Sequence, residues 1–237
     1  MALPKINETL NFSMEIPSTG KKVKYRPYLV KEEKVLLQAF ESGDLKTCLE
    51  AMVDTIDACL DPKQRVETIE LTTFDVEYMF TQIRARSVGE NSTISVKCTE
   101  CETPNEYKVD LDTLEVKVDK QDMILDITDT IAVEMKYPSY RNILEQDFEN
   151  MGEDADGLLK VIATSIAAVI TDEERIEASD VTTEEMVEFL QSMTSTQMSK
   201  IGDFIQGAPS LKHTAEFACS DCGKDNAVEL KGLADFF

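Results

Sequence analysis

Leu10, Phe12, Met14 and Ile16 alternate with polar residues, a period of two that sets one face of a strand against a core. Pro17-Ser-Thr-Gly20 supplies turn chemistry, and Val23 and Tyr25 resume the alternation, so the spacing predicts a β-hairpin that Pro27 ends. The period then becomes helical. Lys31 to Ser42 reads as a helix with Leu36, Leu37 and Phe40 inward and Gly43 as its stop. Asp44 is a suitable N-cap for a second helix whose apolar set runs Leu45, Cys48, Leu49, Met52, Val53, Ile56, Cys59 and Leu60. Thr72-Thr-Phe-Asp75 opens a third helix with Val76, Met79, Phe80 and Ile83 inward, Arg84 and Arg86 near its end, and Gly89 beyond. Ile94, Val96 and Cys98 alternate as a strand, Cys98-Thr-Glu-Cys101 forms a tight C-x-x-C turn, and Tyr107, Val109 and Leu111 return. Leu114, Val116 and Val118 extend the same sheet in this reading.

From there the plan starts over. Ile131, Val133, Met135 and Tyr137 form a strand that Pro138 ends, and Ser139 to Phe148 reads as helix. Glu149 to Gly157 is an acidic connection. Leu158 to Ile170 carries little polar surface and is expected to be a central buried helix. Thr182-Thr-Glu-Glu185 is a capping-box pattern ahead of Met186, Val187, Leu190 and Met193. A further helix near Thr196 to Gln206 carries Met198, Ile201, Phe204 and Ile205. Ala215, Phe217 and Cys219 then alternate, Cys219-Ser-Asp-Cys222 makes a second C-x-x-C turn followed by Gly223, and Val228 and Leu230 return. The expectation is an α+β protein of two similar halves, 1–111 and 112–237, arising by internal duplication with pseudo-two-fold symmetry. Each half would contribute one cysteine knuckle to a shared, split zinc-ribbon-like site.

Charge narrows the class of partner. The formal net charge is −22, which opposes binding to nucleic acid or an anionic membrane because both demand cationic contacts. Solubility alone also produces such acidity. The longest apolar run, Leu158 to Ile170, is interrupted by Lys160, Thr164 and Ser165, so no membrane span is expected. No apolar run follows Met1 to Ile6, so no secretory leader is expected either. A reducing compartment then turns the six cysteines away from disulfides and toward metal.

Cys98, Cys101, Cys219 and Cys222 have the spacing of a four-thiolate structural zinc site. Each first cysteine lies in phase with the apolar face of its strand, so both pairs can reach one interior point. The 117 residues between the pairs mean that a metal here staples distant parts of the chain. Gly223 suits the positive φ that follows such a pair, whereas Glu102 in the equivalent place is less typical. Lys97, Lys108, Lys212 and Lys224 are near in sequence and can offset the local negative charge. Iron shares this ligand set; zinc is the expectation. A redox dithiol is disfavoured because no βαβ pattern surrounds either pair. Catalytic zinc is disfavoured because four cysteines leave no open position for water. His213, the only histidine, is read as a structural strand residue rather than a ligand, and Cys48 and Cys59 as core thiols. No phosphate-binding glycine loop, nucleophile elbow or histidine dyad points to an enzyme.

The runs Ile16-Pro-Ser-Thr-Gly20, Val23-Lys-Tyr-Arg-Pro-Tyr28, Lys31-Glu-Glu-Lys34 and Ile83-Arg-Ala-Arg-Ser-Val-Gly-Glu90, the last followed by C-x-x-C, resemble the T-even-like phage baseplate hub and hub-assembly proteins. The resemblance spans residues 10–110 by motif and continues in general plan. It implies a non-enzymatic structural or assembly component of a contractile-tail baseplate hub. Its partners would be other hub proteins, and it would act in the host cytoplasm during assembly or in the virion tail. A zinc-ribbon adaptor for a transcription or replication protein is the alternative. Tyr25, Arg26, Tyr28, Arg84 and Arg86 are candidate partner contacts because the family-like motifs cluster there. A sheet-to-helix corner and a helix C-terminus account for them more simply.

Overall fold

The computed structural model describes residues 12–64, 66–118, 121–145 and 155–236. In chain order the elements are β1 (Phe12–Glu15), β2 (Lys22–Tyr25), α1 (Val30–Ser42), α2 (Leu45–Cys59), α3 (Thr73–Ser87), β3 (Asn91–Lys97), β4 (Pro104–Asp110), β5 (Ile124–Asp126) and β6 (Ile131–Met135). They continue with α4 (Tyr140–Leu144), α5 (Ala155–Thr164), β7 (Ile166–Thr171), β8 (Arg175–Glu177), α6 (Thr183–Gln191), α7 (Ser195–Gln206), β9 (Lys212–Ala218) and β10 (Asp225–Lys231). This is an α+β protein. Leu10, the end of the helix expected to reach Phe148, and the acidic residues 149–154 lie outside the described residues.

Two compact units emerge, and their limits differ from the sequence halves. Met1–Val118 joins Pro209–Phe237, while Asp119–Ala208 stands by itself. The closing strand pair therefore belongs with the opening segment, not with the residues that precede it. The cause is a shared core. Val96 and Val109 from β3 and β4 pack with Ala215 and Leu230 from β9 and β10, around Ala85, Leu111, Leu114, Leu211 and Phe236. Ser92 Oγ donates to the Phe236 carbonyl at 2.7 Å, tying the last described residue to β3.

Within this first unit, β1 and β2 pair antiparallel through Phe12–Tyr25 to Glu15–Lys22. The Arg26 N–H donates to the Cys59 carbonyl at 3.0 Å and the Asp61 N–H to the Lys24 carbonyl at 3.0 Å, so the end of α2 covers the edge of β2. Arg26 is buried. It donates to Glu32 at 2.8 Å and to the Pro27 and Ala58 carbonyls, each at 2.9 Å. Burial acts to raise the Glu32 pKa, but hydrogen bonds from Arg26 and the Leu29 N–H outweigh it and hold the carboxyl below its ordinary range.

That ion pair decides which way α1 faces. Glu32, Leu36 and Ala39 are inward, whereas Leu37 and Phe40 are 56% and 50% exposed, against the expectation that both face the core. Leu45 is exposed too. On α3 the inward set Val76, Met79, Phe80 and Ile83 is as the period predicts, with Phe74 added. Asp44 accepts from the Thr47 N–H at 2.9 Å as the expected N-cap.

The second unit is a four-stranded antiparallel sheet, β5-β6-β7-β8, with α6 and α7 against it. Its core gathers Val133, Met135, Ile166 and Val169 from the sheet with Met186, Leu190, Ile201 and Phe204 from the helices. The expected helix from Leu158 to Ile170 is here two elements: α5 stops at Thr164 and the chain continues as β7. A short apolar run does not distinguish buried helix from buried strand, and four of the six residues of Ile166-Ala-Ala-Val-Ile-Thr171 are β-branched. The β6 strand has an open edge, which β7 fills. The Thr182 capping box forms with Glu185, and Thr194 with Gln197 makes another that opens α7. The extension expected at Leu114 to Val118 reduces to a single bridge between Val116 and Leu211.

Candidate metal centre

Strand alternation delivers the first cysteine of each pair. Ser92, Ile94, Val96 and Cys98 share one face of the first hairpin; His213, Ala215, Phe217 and Cys219 share one face of the second. The registers are the same at a constant offset of 121 residues. Asn91 pairs with Asp110 as Lys212 pairs with Lys231, and Lys97 with Pro104 as Ala218 with Asp225.

The turns repeat this equivalence bond for bond. The Cys98 N–H donates to the Thr103 carbonyl at 2.9 Å and the Glu102 N–H to the Cys98 carbonyl at 3.0 Å. Cys219 and Lys224, and Gly223 and Cys219, do the same at 2.8 and 3.0 Å. Such a turn needs a left-handed residue after the second cysteine. Gly223 has φ 72° and Glu102 has φ 58°, so the atypical glutamate adopts the glycine conformation.

Four sulfurs converge. Cys101 Sγ lies 3.5 Å from Cys222 Sγ and 3.6 Å from Cys219 Sγ, and Cys98 Sγ lies 3.7 Å from Cys222 Sγ. All four sulfurs fall within 4.8 Å of one another. These separations exceed the ~2.05 Å of a disulfide. They approach the about 3.8 Å edge of a tetrahedron with ~2.3 Å zinc–sulfur bonds. The donor set fits a closed zinc site. Cys98 and Cys219 are buried while Cys101 and Cys222 are exposed.

The backbone favours thiolate at the inner pair. Cys101 and Glu100 N–H groups hold the Cys98 thiol below its usual range; Cys222 and Asp221 N–H groups bring the Cys219 thiol down to about 6. At Cys222 the Lys224 N–H pulls the same way, but shared protons with Cys101, Cys219 and Cys98 outweigh it and push the thiol up to about 12. Without a cation, four clustered sulfurs cannot all ionise together. A divalent metal ion removes that conflict.

Two side chains that motif reading passed over join the knuckles. Asn105 Oδ1 accepts from the Ser220 N–H at 2.8 Å, and Asn226 Oδ1 accepts from the Thr99 N–H at 2.9 Å. Each asparagine also donates Nδ2 to its own hairpin at 2.8 Å, Asn105 to the Thr103 carbonyl and Asn226 to the Lys224 carbonyl. The signal was present as a repeated C-x-x-C-x-x-x-N spacing.

Other candidates resolve differently. His213 Nε2 is 3.0 Å from the Tyr107 hydroxyl and takes no place among the sulfurs. Cys59 is fully buried beside Arg26, burial pushing its thiol up to about 12, and Cys48 Sγ donates to the Ala39 carbonyl at 3.2 Å. Lys224 sits 3.4 Å from Glu100 and Lys212 4.0 Å from Glu229, so these two lysines offset carboxylates. Tyr25 is buried, Arg26 is committed to Glu32, and Arg86 pairs with Glu90 at 2.5 Å and Asp112 at 2.6 Å over the Phe12 ring. At these residues the motif cluster forms a corner held by internal ion pairs.

In this α+β chain two distant strand–knuckle–strand hairpins bring four cysteine sulfurs together. A profile described as T4 bacteriophage base plate protein matches residues 9–237, and the chain belongs to that family. The baseplate hub assembly protein gp26 of Enterobacteria phage T4 is 21% identical over 227 residues, covering 95% of this chain and 97% of that protein. No solved structure matches significantly. No described helix is long and apolar enough to cross a membrane.

Proposed function

We propose that this protein is a non-enzymatic structural or assembly component of a contractile-tail phage baseplate hub. One structural zinc ion would be held by Cys98, Cys101, Cys219 and Cys222. The family match over residues 9–237 carries the baseplate role, and the relative named as a hub assembly protein supports the hub as its place. Its partners are then other hub proteins, met in the host cytoplasm during assembly and, if it is retained, in the virion tail. Neither nucleic acid nor membrane is among them, in keeping with a net charge of −22.

The four-sulfur geometry supports zinc, and its role is mechanical. Coordination joins hairpins separated by more than a hundred residues, so binding free energy becomes folding free energy for the whole first unit. Four thiolates leave no position for a substrate or water, which supports a building part rather than a catalyst. We further infer that residues 1–111 and 112–237 descend from an internal duplication. The constant offset of 121 residues across both hairpins, both turns and both asparagines supports it.

Affinity purification of the tagged chain from phage-infected cells, with metal analysis of the eluate, tests these readings together. Hub proteins in the eluate and one zinc per chain are expected. Recovery of a polymerase or of nucleic acid in their place overturns the hub role, and a metal-free chain with free thiols overturns the zinc site.

A further inference from the structure

We propose that Asn105 and Asn226 are positioning residues of the metal centre, a crossed pair of clasps that align each knuckle and donate hydrogen bonds to the buried sulfur of the opposite one. This rests on the zinc reading above. Three observations carry it. Each asparagine is rooted in its own hairpin through Nδ2 and reaches across through Oδ1, to Ser220 N–H or Thr99 N–H. The donating N–H follows the first cysteine of the opposite pair directly, so the clasp sets the position of that cysteine. Both side chains are 7% exposed, so unpaired amides would be costly there.

The second half of the function lies at sulfur. Asn105 Nδ2 is 3.8 Å from Cys219 Sγ, and Asn226 stands at the equivalent position of the other hairpin, its Oδ1 on the Thr99 N–H next to Cys98. Cys98 and Cys219 are the buried sulfurs, furthest from water. Four thiolates around a divalent ion carry a net charge of −2. At the knuckles Lys224 pairs with Glu100 at 3.4 Å. Neutral N–H donors disperse charge from the inner sulfurs, and such outer partners tune metal affinity by roughly 10–100-fold.

Two double variants of the full chain test the clasps. Asn105→Ala with Asn226→Ala removes every asparagine contact. Asn105→Asp with Asn226→Asp keeps the acceptor oxygens for Ser220 and Thr99 but loses every Nδ2 donor, to sulfur and to the Thr103 and Lys224 carbonyls alike. Zinc affinity is measured by chelator competition, and cobalt(II) spectra report the sulfur field. Circular dichroism checks the fold. For the aspartate variant we expect a zinc dissociation constant roughly 10–100-fold above wild type and shifted cobalt bands, with the fold kept. An aspartate variant within twofold of wild type, with the same spectrum, overturns the proposal while leaving the zinc site standing. A wild-type chain that yields no cobalt–thiolate spectrum overturns the zinc reading and this one with it.

Discussion

Asp75 and Ser18, 57 residues apart, are joined by two hydrogen bonds: the Ser18 N–H reaches Oδ1 at 2.8 Å and its hydroxyl reaches Oδ2 at 2.6 Å. The same carboxylate closes the capping box of α3, accepting from the Thr72 N–H at 3.2 Å and the Thr72 hydroxyl at 2.6 Å. One fully buried side chain therefore starts a helix and pins the β1–β2 turn against it. Asp75→Ala removes the carboxylate half of the capping box and leaves the Ser18 and Thr72 donors without their acceptor. Urea unfolding should show a loss of roughly 2–3 kcal/mol. Ser18→Ala should cost about 1 kcal/mol. An Asp75→Ala midpoint equal to wild type would refute the dual role.

Metal removal should act on the first unit. Chelation, or Cys98→Ser, is expected to lower the melting temperature and cost on the order of 5 kcal/mol, since small structural zinc sites supply roughly 10–16 kcal/mol. Hydrogen exchange should locate the loss in β3, β4, β9 and β10. An unchanged melting curve in strong chelator contradicts this.

Glu77 on α3 supplies a pH dependence. Burial pushes its carboxyl up to about 7, against the pull of the Leu233 N–H. The folded chain thus holds a proton there that the unfolded chain releases above about 4.5. The sign follows by linkage: this contribution is full below about pH 4.5 and is lost as pH rises through about 7. Glu77→Gln keeps an acceptor for Leu233 without the charge. It should raise stability at pH 8 by on the order of 2 kcal/mol and leave it near wild type at pH 4. Urea titrations at the two pH values make the comparison; equal shifts at both would contradict the assignment.

Glu102 occupies a left-handed conformation that its counterpart Gly223 adopts freely. Glu102→Gly should therefore stabilise the chain by about 0.5–1 kcal/mol, the relieved strain exceeding the extra unfolded-state entropy. Gly223→Glu should do the reverse by a similar or larger amount. A destabilised Glu102→Gly chain in thermal melts would show that the glutamate contributes something other than strain.

Much of this molecule was readable in one dimension. The β1–β2 hairpin, the Asp44 and Thr72 caps, the inward face of α3 and both C-x-x-C turns are local, and each involves residues within a few positions of one another. The convergence of the cysteine pairs was readable too, because strand phase placed Cys98 and Cys219 on apolar faces. The α1 face was misjudged where a buried ion pair overrode hydrophobic count: Glu32 went inward with Arg26 and left Leu37 and Phe40 outside. The run from Leu158 to Ile170 divided at Ser165 because β6 offered an edge that only a strand can complete.

Sequence alone settled the helix caps at Asp44, Thr72 and Thr182, which strand faces are apolar, and that four thiols have a zinc-ligand spacing, since those properties depend on residues close together along a short segment. Tertiary structure alone decided that the last strand pair joins the first unit and that two asparagines cross between knuckles. Burial and hydrogen bonding between residues more than a hundred positions apart are set by which surfaces meet, and no local period encodes that meeting.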